Sequence, residues 1–328
     1  MLNKKLTALV TGGAGFIGSH MVDLLVKENF NVIVVDNLVG GRESNISHHN
    51  EVDFIDKDIR DIKPTENFLK NVDYIFHFAG IGDIVPSIEA PKEYMSVNNF
   101  GTINLLESIR GKNIKKFVYA ASSSCYGLAD TPTTELNQIN LKHPYALSKY
   151  QGEMSSFHWH DVYKIPVNSI RIFNAYGVRS RTSGAYGAVM GVFLKQKIEN
   201  KPFTVVGDGS QTRDFLYVTD VVRAFYEAGM TDYVGKIYNL GAGKPQSINR
   251  LIELLGNGKK VYLPKRNGEP DCTWADISLI KKDLDWHPLV SFEEGVSLIL
   301  ENIDYWKDAP LWDEKNIKEA TKEWYRYM

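Results

Sequence analysis

Tyr145 and Lys149 lie four positions apart in the stretch HPYALSKYQGE, at the start of a predicted helix. Residues at this spacing share one helix face. A phenol with an ordinary pKa of about 10 is a poor base at neutral pH, and a nearby ammonium group lowers that pKa by favouring the phenolate. The pair is therefore a candidate for removing a proton from an alcohol, although the same spacing is also typical of a solvated helix face.

Ser122 is the third candidate, at the end of the predicted strand KKFVYAAS and before the helix that carries Tyr145. Open α/β sheets bind their ligands at the carboxyl ends of the strands. Ser122 is therefore placed to donate a hydrogen bond to a substrate hydroxyl or to relay its proton. A run of serines is also an ordinary strand-end turn.

The stretch LTALVTGGAGFIGSH predicts a phosphate-binding turn, with Gly12, Gly15 and Gly18 at three-residue intervals between a strand and a helix. Glycines here permit a tight turn and bring backbone N–H groups close to a pyrophosphate. The following strand, NVIVVD, ends in Asp36. A carboxylate there accepts hydrogen bonds from the ribose hydroxyls and repels a 2′-phosphate, which favours NAD over NADP. Lys149 alone is too weak to lower the pKa of Tyr145 by about 3 units, so a nicotinamide cation and partial burial must contribute.

These residues require a fold that brings strand ends together. Short apolar runs rich in β-branched residues alternate with helical patterns through the first half of the chain, which predicts a doubly wound parallel α/β sheet. We predict a dinucleotide-binding domain over residues 1–175, with 214–242 returning to it. A smaller α/β substrate lobe is predicted over 176–213 and 243–328, with the aromatic C-terminal tail packing on the body or on a partner subunit.

The bulk composition excludes several other classes of protein. Of the 328 residues, 43% are hydrophobic and 24% are charged, which is typical of a globular chain. A formal net charge of -2 without a basic block argues against nucleic acid or an anionic membrane as a partner. Cys125 and Cys272 lack metal-ligand spacing, so we expect neither a disulfide framework nor a metal site, and a cytoplasmic location fits. The first apolar run ends at the glycine cluster and is interpreted as a strand, and no run is long enough for a membrane span.

The combined motifs resemble the extended short-chain dehydrogenase/reductases, in particular the nucleotide-sugar epimerases and dehydratases, from about Leu6 to Leu289. The resemblance implies a Rossmann domain that holds NAD, with Tyr145 as the base, Lys149 orienting the ribose and Ser122 near the sugar O4. Asp58 could face the adenine or be an exposed turn carboxylate, and Asn98 could lie near the cofactor or be an internal amide. The residues that this resemblance assigns to the cofactor are Gly12, Gly15, Phe16, Ile17, Gly18, Asp36, Asn37, Asp58, Ile59, Ala79, Asn98, Tyr145 and Lys149.

The residues after Ser122 bear on which reaction follows hydride removal. Dehydratases of the resembled family carry an Asp-Glu pair there, since elimination of water needs an extra acid and base. This chain has Ser123 and Ser124, and Ser123 is expected to contact the substrate. Cys125 is interpreted as a small structural residue rather than as the acid of an epimerase-reductase. These features favour a 4-epimerase, and the resemblance implies a UDP-hexose or UDP-N-acetylhexosamine as its substrate.

Anchors for the nucleotide sugar are expected in the second half of the chain. Asn174 lies in RIFNAYG, Arg213 in GDGSQTRDF and Arg266 in KRNGEPDC, where Glu269 replaces the usual Asp of the family pattern. A planar guanidinium suits bidentate contact with phosphate, so the two arginines are expected to hold the diphosphate. The stretch SGAYGAVM and Thr273 are similar to the sugar-pocket residues of N-acetylhexosamine epimerases.

The sequence leaves other substrates and other activities open. Gly82 replaces a Lys that glucose/galactose epimerases carry, and Asp83 follows it, so the sugar could be unusual. A 4,6-dehydratase or 4-dehydrogenase of the same family is the enzymatic alternative. A non-catalytic dinucleotide-sensing protein is the alternative from another class. The resemblance further implies a homodimer paired through the helices at 98–110 and 145–163.

Overall fold

A parallel β-sheet is the central element of the computed structural model, which describes residues 5–180 and 189–328. Within these residues the sheet has seven strands, and three pairs of short strands lie outside it. The strands are β1 (Thr7–Thr11), β2 (Asn31–Asp36), β3 (Asp53–Asp56), β4 (Tyr74–His77), β5 (Lys116–Ser122), β6 (Val167–Ile172), β7 (Asn174–Tyr176), β8 (Phe203–Val206), β9 (Thr212–Arg213), β10 (Phe215–Tyr217), β11 (Lys236–Leu240), β12 (Gln246–Ser247) and β13 (Lys260–Leu263).

Helices cover this sheet and build the smaller lobe. A π-helical turn over Ser96–Gly101 joins two of them, α3 and α4, into one longer helix. The helices are α1 (Phe16–Lys27), α2 (Ile84–Glu89), α3 (Pro91–Met95), α4 (Thr102–Ile109), α5 (Pro144–Tyr163), α6 (Val189–Ile198), α7 (Val218–Met230), α8 (Ile248–Leu254), α9 (Ser278–Leu284), α10 (Phe292–Glu301), α11 (Glu314–Ala320) and α12 (Lys322–Tyr327).

The order of the strands creates a ligand site. The sheet runs β11-β6-β5-β4-β1-β2-β3, and all of its neighbouring pairs are parallel. The chain therefore progresses in one direction from β1 to β3 and in the other from β4 to β11. Such a reversal leaves a crevice beyond the carboxyl ends of the two strands where it occurs, here β1 and β4. The predicted fold class is confirmed.

The central strands are buried on both faces, as their unbroken apolar sequence predicts. Every residue of β1 and of β5 is buried. The segment 214–242 contributes α7 and β11 to the same layers, with β11 paired to β6.

Helix α5 carries the predicted catalytic pair, and its start is fixed by two local features. Pro144 occupies the first turn, where its missing N–H is not needed, and His143 Nδ1 accepts a hydrogen bond from Ala146 N at 3.2 Å. The helix ends at Lys164 in the left-handed conformation. Gly152 lets α5 approach Tyr119 on β5, because a side chain there would collide with the Tyr119 ring.

The smaller lobe is built around parallel pairing of β8 with β13 and antiparallel pairing of β9 with β12. The aromatic tail packs on this lobe, with Trp306, Ile317 and Trp324 in its apolar core. In the part of the chain that the structure describes, every helix is too short or too polar to span a bilayer.

Candidate active site

One cleft of about 790 Å³ runs from the glycine turn after β1 to the smaller lobe. Gly12 and Asp36 line one end, and Arg213 and Arg266 line the other. Ser122, Tyr145 and Lys149 lie along the wall between these ends, as does Ser123. The fold therefore brings together residues that are more than two hundred positions apart in the sequence.

The glycine turn has the form that a pyrophosphate requires. Gly12 has φ +70°, and a Cβ there would lie 2.6 Å from Ala79 N. Gly15 precedes α1 without a side-chain cap, so the first N–H groups of the helix face the cleft beside Phe16, Ile17 and Gly18. An anion is favoured at such a helix start, and these residues fit a dinucleotide pyrophosphate.

Asp36 lies at the end of β2, as predicted, and is 8% exposed. Its two carboxylate oxygens accept hydrogen bonds from Ala14 N at 3.0 Å and Leu38 N at 2.8 Å. Burial raises the pKa of Asp36, and these two bonds oppose that shift. Each oxygen keeps a second lone pair, so the carboxylate fits a pair of ribose hydroxyls.

Asp58 and Asn37 form a polar edge beside Asp36. Asn37 donates to Asp58 at 2.9 Å, and Arg60 forms an ion pair with Asp58 at 2.7 Å. The hydrogen bonds from Arg60 hold the pKa of Asp58 below its ordinary value. Asp58 and Asn37 line the cleft, with Ile59 and Ala79 near them.

Asn98 is buried beneath the cleft wall, where it makes the internal amide hydrogen bonds that were one of the two roles expected of it. The side chain is fully buried, and its Oδ1 accepts from Ile81 N at 2.7 Å. Its amide donates to Ile81 O at 3.0 Å and to Ser148 Oγ at 2.9 Å, which uses both N–H groups. Asn98 therefore fixes the turn at residues 80–82 against α5.

His77, in the stretch FHFAG, is held in one tautomer by two threonines. Thr102 Oγ1 donates to Asn98 O at 2.7 Å, so it accepts from His77 Nε2 at 2.9 Å. His77 Nδ1 then accepts from Thr11 Oγ1 at 2.6 Å. Complete burial lowers the pKa of His77 to about 3, so the ring stays neutral. This bridge links β1, β4 and α4 under the cofactor end of the cleft, and only the motif FHFAG pointed to it in the sequence.

Tyr145 forms a side-chain hydrogen bond with Ser122 on the same wall of the cleft. Burial raises the pKa of Tyr145, the hydrogen bond with Ser122 lowers it, and Asp83 raises it further. The pKa of Tyr145 is raised overall, so Lys149 alone does not make Tyr145 a base at neutral pH. This agrees with the expectation that a second cation is needed. Ser122 Oγ also accepts from Ser124 N at 3.2 Å, which leaves its O–H to donate into the cleft.

Lys149 is buried over the face of Tyr119, with Nζ 4.5 Å from the ring centroid. Tyr119 in turn donates to Lys149 O at 3.1 Å. Burial lowers the pKa of Lys149 to about 8, and Glu153 opposes that shift. The Lys149 ammonium is thus held at the cleft wall by packing on an aromatic ring.

Two aromatic neighbours of Tyr145 were not predicted. The His143 ring lies parallel to the Tyr145 ring at 6.0 Å, and the Tyr94 ring meets it edge-on at 6.3 Å. Burial lowers the pKa of His143 to about 4, so His143 is neutral at physiological pH. The position of His143 as the cap before Pro144 could have indicated that it lies near Tyr145. Tyr94 is about fifty residues from Tyr145 in the sequence, so no local pattern could have indicated their contact.

Arg213 and Arg266 meet in the smaller lobe around Glu269. Arg213 forms an ion pair with Glu269 at 2.9 Å, and Arg266 lies 3.7 Å from the other carboxylate oxygen. Both guanidinium groups are 11% exposed and line the cleft. Two converging guanidinium groups fit a diphosphate, which would compete with Glu269 for them.

Asn174 and Thr273 are joined where the two parts of the cleft meet. Thr273 Oγ1 donates to Asn174 Oδ1 at 2.6 Å and accepts from Asp214 N at 3.2 Å. Both side chains line the cleft. Most of the stretch SGAYGAVM lies outside the described residues, and only Val189 and Met190 of it are described.

Ser123, Ser124 and Cys125 form a short 3-10 turn after β5. Cys125 is buried, and burial raises its pKa to about 12, so it is a thiol at neutral pH. This fits the structural role expected of it.

The family model described as "NAD dependent epimerase/dehydratase family" matches residues 8–241. The chain belongs to this family. It is similar to the UDP-glucuronic acid 4-epimerase of Bacillus cereus, solved with UDP-glucuronic acid and NAD, at 32% identity and a TM-score of 0.84, covering 92% of this chain and 99% of that one.

Two further solved structures are similar over nearly their whole length. The UDP-glucose 4-epimerase of Thermotoga maritima, solved with UDP-glucose, is 32% identical with a TM-score of 0.84, covering 92% of this chain and 99% of that one. The UDP-N-acetylglucosamine 4-epimerase of Methanobrevibacter ruminantium, solved with UDP-N-acetylmuramic acid, is 31% identical with a TM-score of 0.84, covering 91% and 99%. The predicted resemblance, the enzyme class and NAD as cofactor are confirmed.

Proposed function

We propose that the protein is an NAD-dependent 4-epimerase of a UDP-hexose or UDP-N-acetylhexosamine, acting through a 4-keto intermediate. The observation that carries this proposal is the set of Ser122, Tyr145 and Lys149 on one wall of the cofactor cleft, followed by serines instead of an acid pair. Three similar enzymes act at C4 of different sugars, as their names state, which supports the reaction more strongly than any one sugar.

Tyr145 would take the proton of the sugar 4-hydroxyl, with Ser122 donating to the same oxygen. When bound, NAD supplies the hydride acceptor for C4 and a positive charge that favours the tyrosinate. Lys149 adds a second positive charge from its place over Tyr119. Return of the hydride to the other face of C4, with return of the proton from Tyr145, restores the alcohol with inverted configuration.

The sugar must turn over between the two transfers while the nucleotide stays in place. Arg213 and Arg266 lie at the far end of the cleft from Gly12 and would hold the diphosphate through this step. Asn174 and Thr273, between the arginines and the catalytic wall, would contact the diphosphate or the sugar. The half-buried hydroxyl of Thr273 and amide of Asn174 suit a neutral sugar.

A dehydratase would need a further acid and base to remove water across C5 and C6. Ser123 and Ser124 follow Ser122 where that family branch carries carboxyl groups, and serine hydroxyls do not titrate near neutral pH. The dehydratase and dehydrogenase alternatives therefore rank second.

A panel of nucleotide sugars tests the proposal. The purified protein is incubated with UDP-glucose, UDP-N-acetylglucosamine, UDP-glucuronate and dTDP-glucose, and the products are resolved by chromatography and NMR. We expect C4 interconversion of a UDP-hexose or UDP-N-acetylhexosamine with no net NADH release. A 4-keto or deoxy product, or interconversion of UDP-glucuronate alone, would contradict the proposal.

Replacing Tyr145 with Phe tests the assigned base. The variant Tyr145→Phe should lower kcat by about 10²–10⁴-fold, because it removes the proton acceptor. Tyr150→Phe on the same helix is the matched control, since Tyr150 does not line the cleft, and it should keep its activity. An active Tyr145→Phe enzyme would show that the base is elsewhere.

We further propose that the protein is a homodimer paired through α4 and α5. The outer face of α5 exposes Met154 at 49% and Val162 at 51%, and the π-helical turn that leads into α4 exposes Phe100 at 57%. Exposed apolar side chains of this kind are typical of an interface when they lie together. Light scattering should give twice the chain mass, and Met154→Lys should shift it toward one chain mass. A wild-type chain that runs as a monomer at micromolar concentration would contradict the dimer.

A further inference from the structure

A cluster of Asp23, His48 and His49 lies behind the glycine turn, on the surface and away from the cleft. Asp23 is on α1, and the two histidines follow the turn at Glu43–Asn45. The Nε2 atoms of His48 and His49 both lie 2.9 Å from Asp23 Oδ1. These three candidate ligand atoms all lie within 4.8 Å of one another.

We propose that this cluster binds one divalent transition-metal ion of the Zn²⁺ type. Imidazole nitrogen and carboxylate oxygen are the donors that Zn²⁺ uses, at about 2.0–2.2 Å, and three such ligands with a water complete a four-coordinate site. Ligand atoms around such an ion lie about 3.3 Å apart for those bond lengths. The observed separations of 2.9 Å between each imidazole and the carboxylate need to open by only a few tenths of an ångström.

The imidazoles can accept an ion without a change in charge. Both now face the carboxylate oxygen with Nε2, which requires the Nε2–H tautomer if each ring is neutral. Moving that proton to Nδ1 through solvent frees the Nε2 lone pair for the metal. The two rings lie 4.1 Å apart, and His48 is 46% exposed, which leaves an open side for entry of the ion.

Arg179 orients the carboxylate from the other side. Its guanidinium forms an ion pair with Asp23 Oδ2 at 2.8 Å, so Oδ1 alone is presented to the histidines. A hydrogen bond to the distal oxygen of a ligating carboxylate is the usual outer contact of a metal site.

The site joins three segments that pack around the glycine turn. Arg42 N and Asn45 Nδ2 both donate to Ala14 O, at 3.0 and 2.8 Å, so the segment before the histidines is docked on that turn. His20 Nε2 on α1 lies 3.0 Å from Val178 O, beside Arg179. A bound ion would cross-link α1 and the segment 42–49, with Arg179 attached to it through Asp23, and would stabilise the folded chain rather than take part in the chemistry. The sequence predicted no metal site because Asp23 is separated from the histidines by more than twenty residues.

Direct metal binding tests the proposal. The tag-free holoenzyme is dialysed against a chelator and then against buffer, and Zn²⁺ is titrated by calorimetry. We expect one Zn²⁺ per chain, with an affinity reduced by at least about 100-fold in Asp23→Asn and in His49→Gln, since each removes a ligand. Glutamine keeps an N–H donor for Asp23, so the fold is preserved. His287→Gln, at an exposed histidine elsewhere, is the matched control and should bind as the wild type does.

Cobalt provides a second readout that does not depend on activity. Co²⁺ should give visible absorption bands of a low-coordinate site in the wild type and in His287→Gln, and these should be lost in His49→Gln and His48→Gln. The ion should raise the thermal unfolding midpoint of the wild type and of His287→Gln, and leave that of Asp23→Asn and His49→Gln unchanged. The proposal would be overturned if the wild type showed no saturable binding of Zn²⁺ at one ion per chain, or if Asp23→Asn and His49→Gln bound Zn²⁺ as tightly as the wild type.

Discussion

His77 is a titratable residue that the fold uses as a neutral hydrogen-bonding bridge. Its folded-state pKa of about 3 lies far below the ordinary value of 6.5, and complete burial is the main cause. The unfolded chain therefore takes up a proton at a pH where the folded chain does not. The stabilisation that depends on neutral His77 is fully present above about pH 6.5 and is lost as the pH falls from there toward 3.

We predict that His77→Gln removes a measurable part of the acid sensitivity of the fold. Between pH 6.5 and 4, the free energy of unfolding of the wild type should fall by about 1.4 kcal/mol per pH unit from this one group. Urea unfolding at pH 7.0 and 5.5 measures the difference, and the variant should lose less on acidification. His287→Gln, at an exposed site, should lose as much as the wild type. Equal losses in His77→Gln and the wild type would show that His77 does not act in this way.

The positions of single site residues could be predicted where their spacing within one helix or strand indicated a reaction. Tyr145 and Lys149 share a helix face, and Ser122 ends a strand, so their types and positions were enough to predict a common wall. Partnerships across the fold could not be predicted, because nothing in the sequence pairs His77 with Thr102 or Lys149 with the Tyr119 ring. Asn98 shows the same limit, since its motif predicted a place near the cofactor or an internal amide but not the hydrogen bonds to Ile81 and Ser148.

At the scale of elements, a buried ion pair joins the catalytic helix to the sheet. Arg171 on β6 donates to Glu153 on α5 at 2.7 Å, and their side chains are 4% and 1% exposed. Ser169 also donates to Glu153 at 2.7 Å, and Arg171 donates to Tyr126 at 2.8 Å. Glu153 lies one helical turn after Lys149, so the pair also fixes the position of the helix that carries the catalytic residues.

We predict that Arg171→Met lowers the free energy of unfolding by about 3–5 kcal/mol, because it leaves the Glu153 carboxylate buried without its partner. The double variant Arg171→Met/Glu153→Leu should recover most of the loss, since no charge is then buried. Urea unfolding measures both. Arg250→Met, in an exposed ion pair with Glu253, is the control and should change stability by less than about 1 kcal/mol. A double variant as unstable as the single one would contradict this explanation.

The sequence predicted the strands and helices of the sheet layers better than the turns that connect them. Apolar runs and helical spacing predicted most strands and helices of the sheet layers, because burial imposes both patterns. The exposed, charged strand β3 has no such pattern. The π-helical turn over Ser96–Gly101 interrupts a helix that the sequence predicted as continuous, and it places Asn98 under the cleft. Tertiary packing rather than local preference selects such a turn.

At the scale of the whole molecule, the residues proposed to bind the diphosphate and the residue proposed to react with the sugar lie in different parts of the cleft. Tyr145 lies on the wall built by β5 and α5, whereas Arg213 and Arg266 belong to the smaller lobe. The two arginines would contact a diphosphate that is not altered by oxidation at C4. Their interaction should therefore be equal in the ground state and in the transition state, and such uniform binding affects KM rather than kcat.

We predict that Arg213→Gln and Arg266→Gln each raise KM for the UDP-sugar by about 10–100-fold, since each loses a charge-assisted bond worth about 1.5–3 kcal/mol. Their kcat should stay within about 3-fold of the wild type, whereas Tyr145→Phe loses kcat, so the two kinds of variant should show opposite kinetic effects. Steady-state assays at saturating NAD measure both constants. Arg250→Gln, an exposed arginine of the same lobe, should change neither. A loss of kcat at unchanged KM in the Arg213 and Arg266 variants would mean that the lobe takes part in the chemistry, and the separation inferred from the cleft would be wrong.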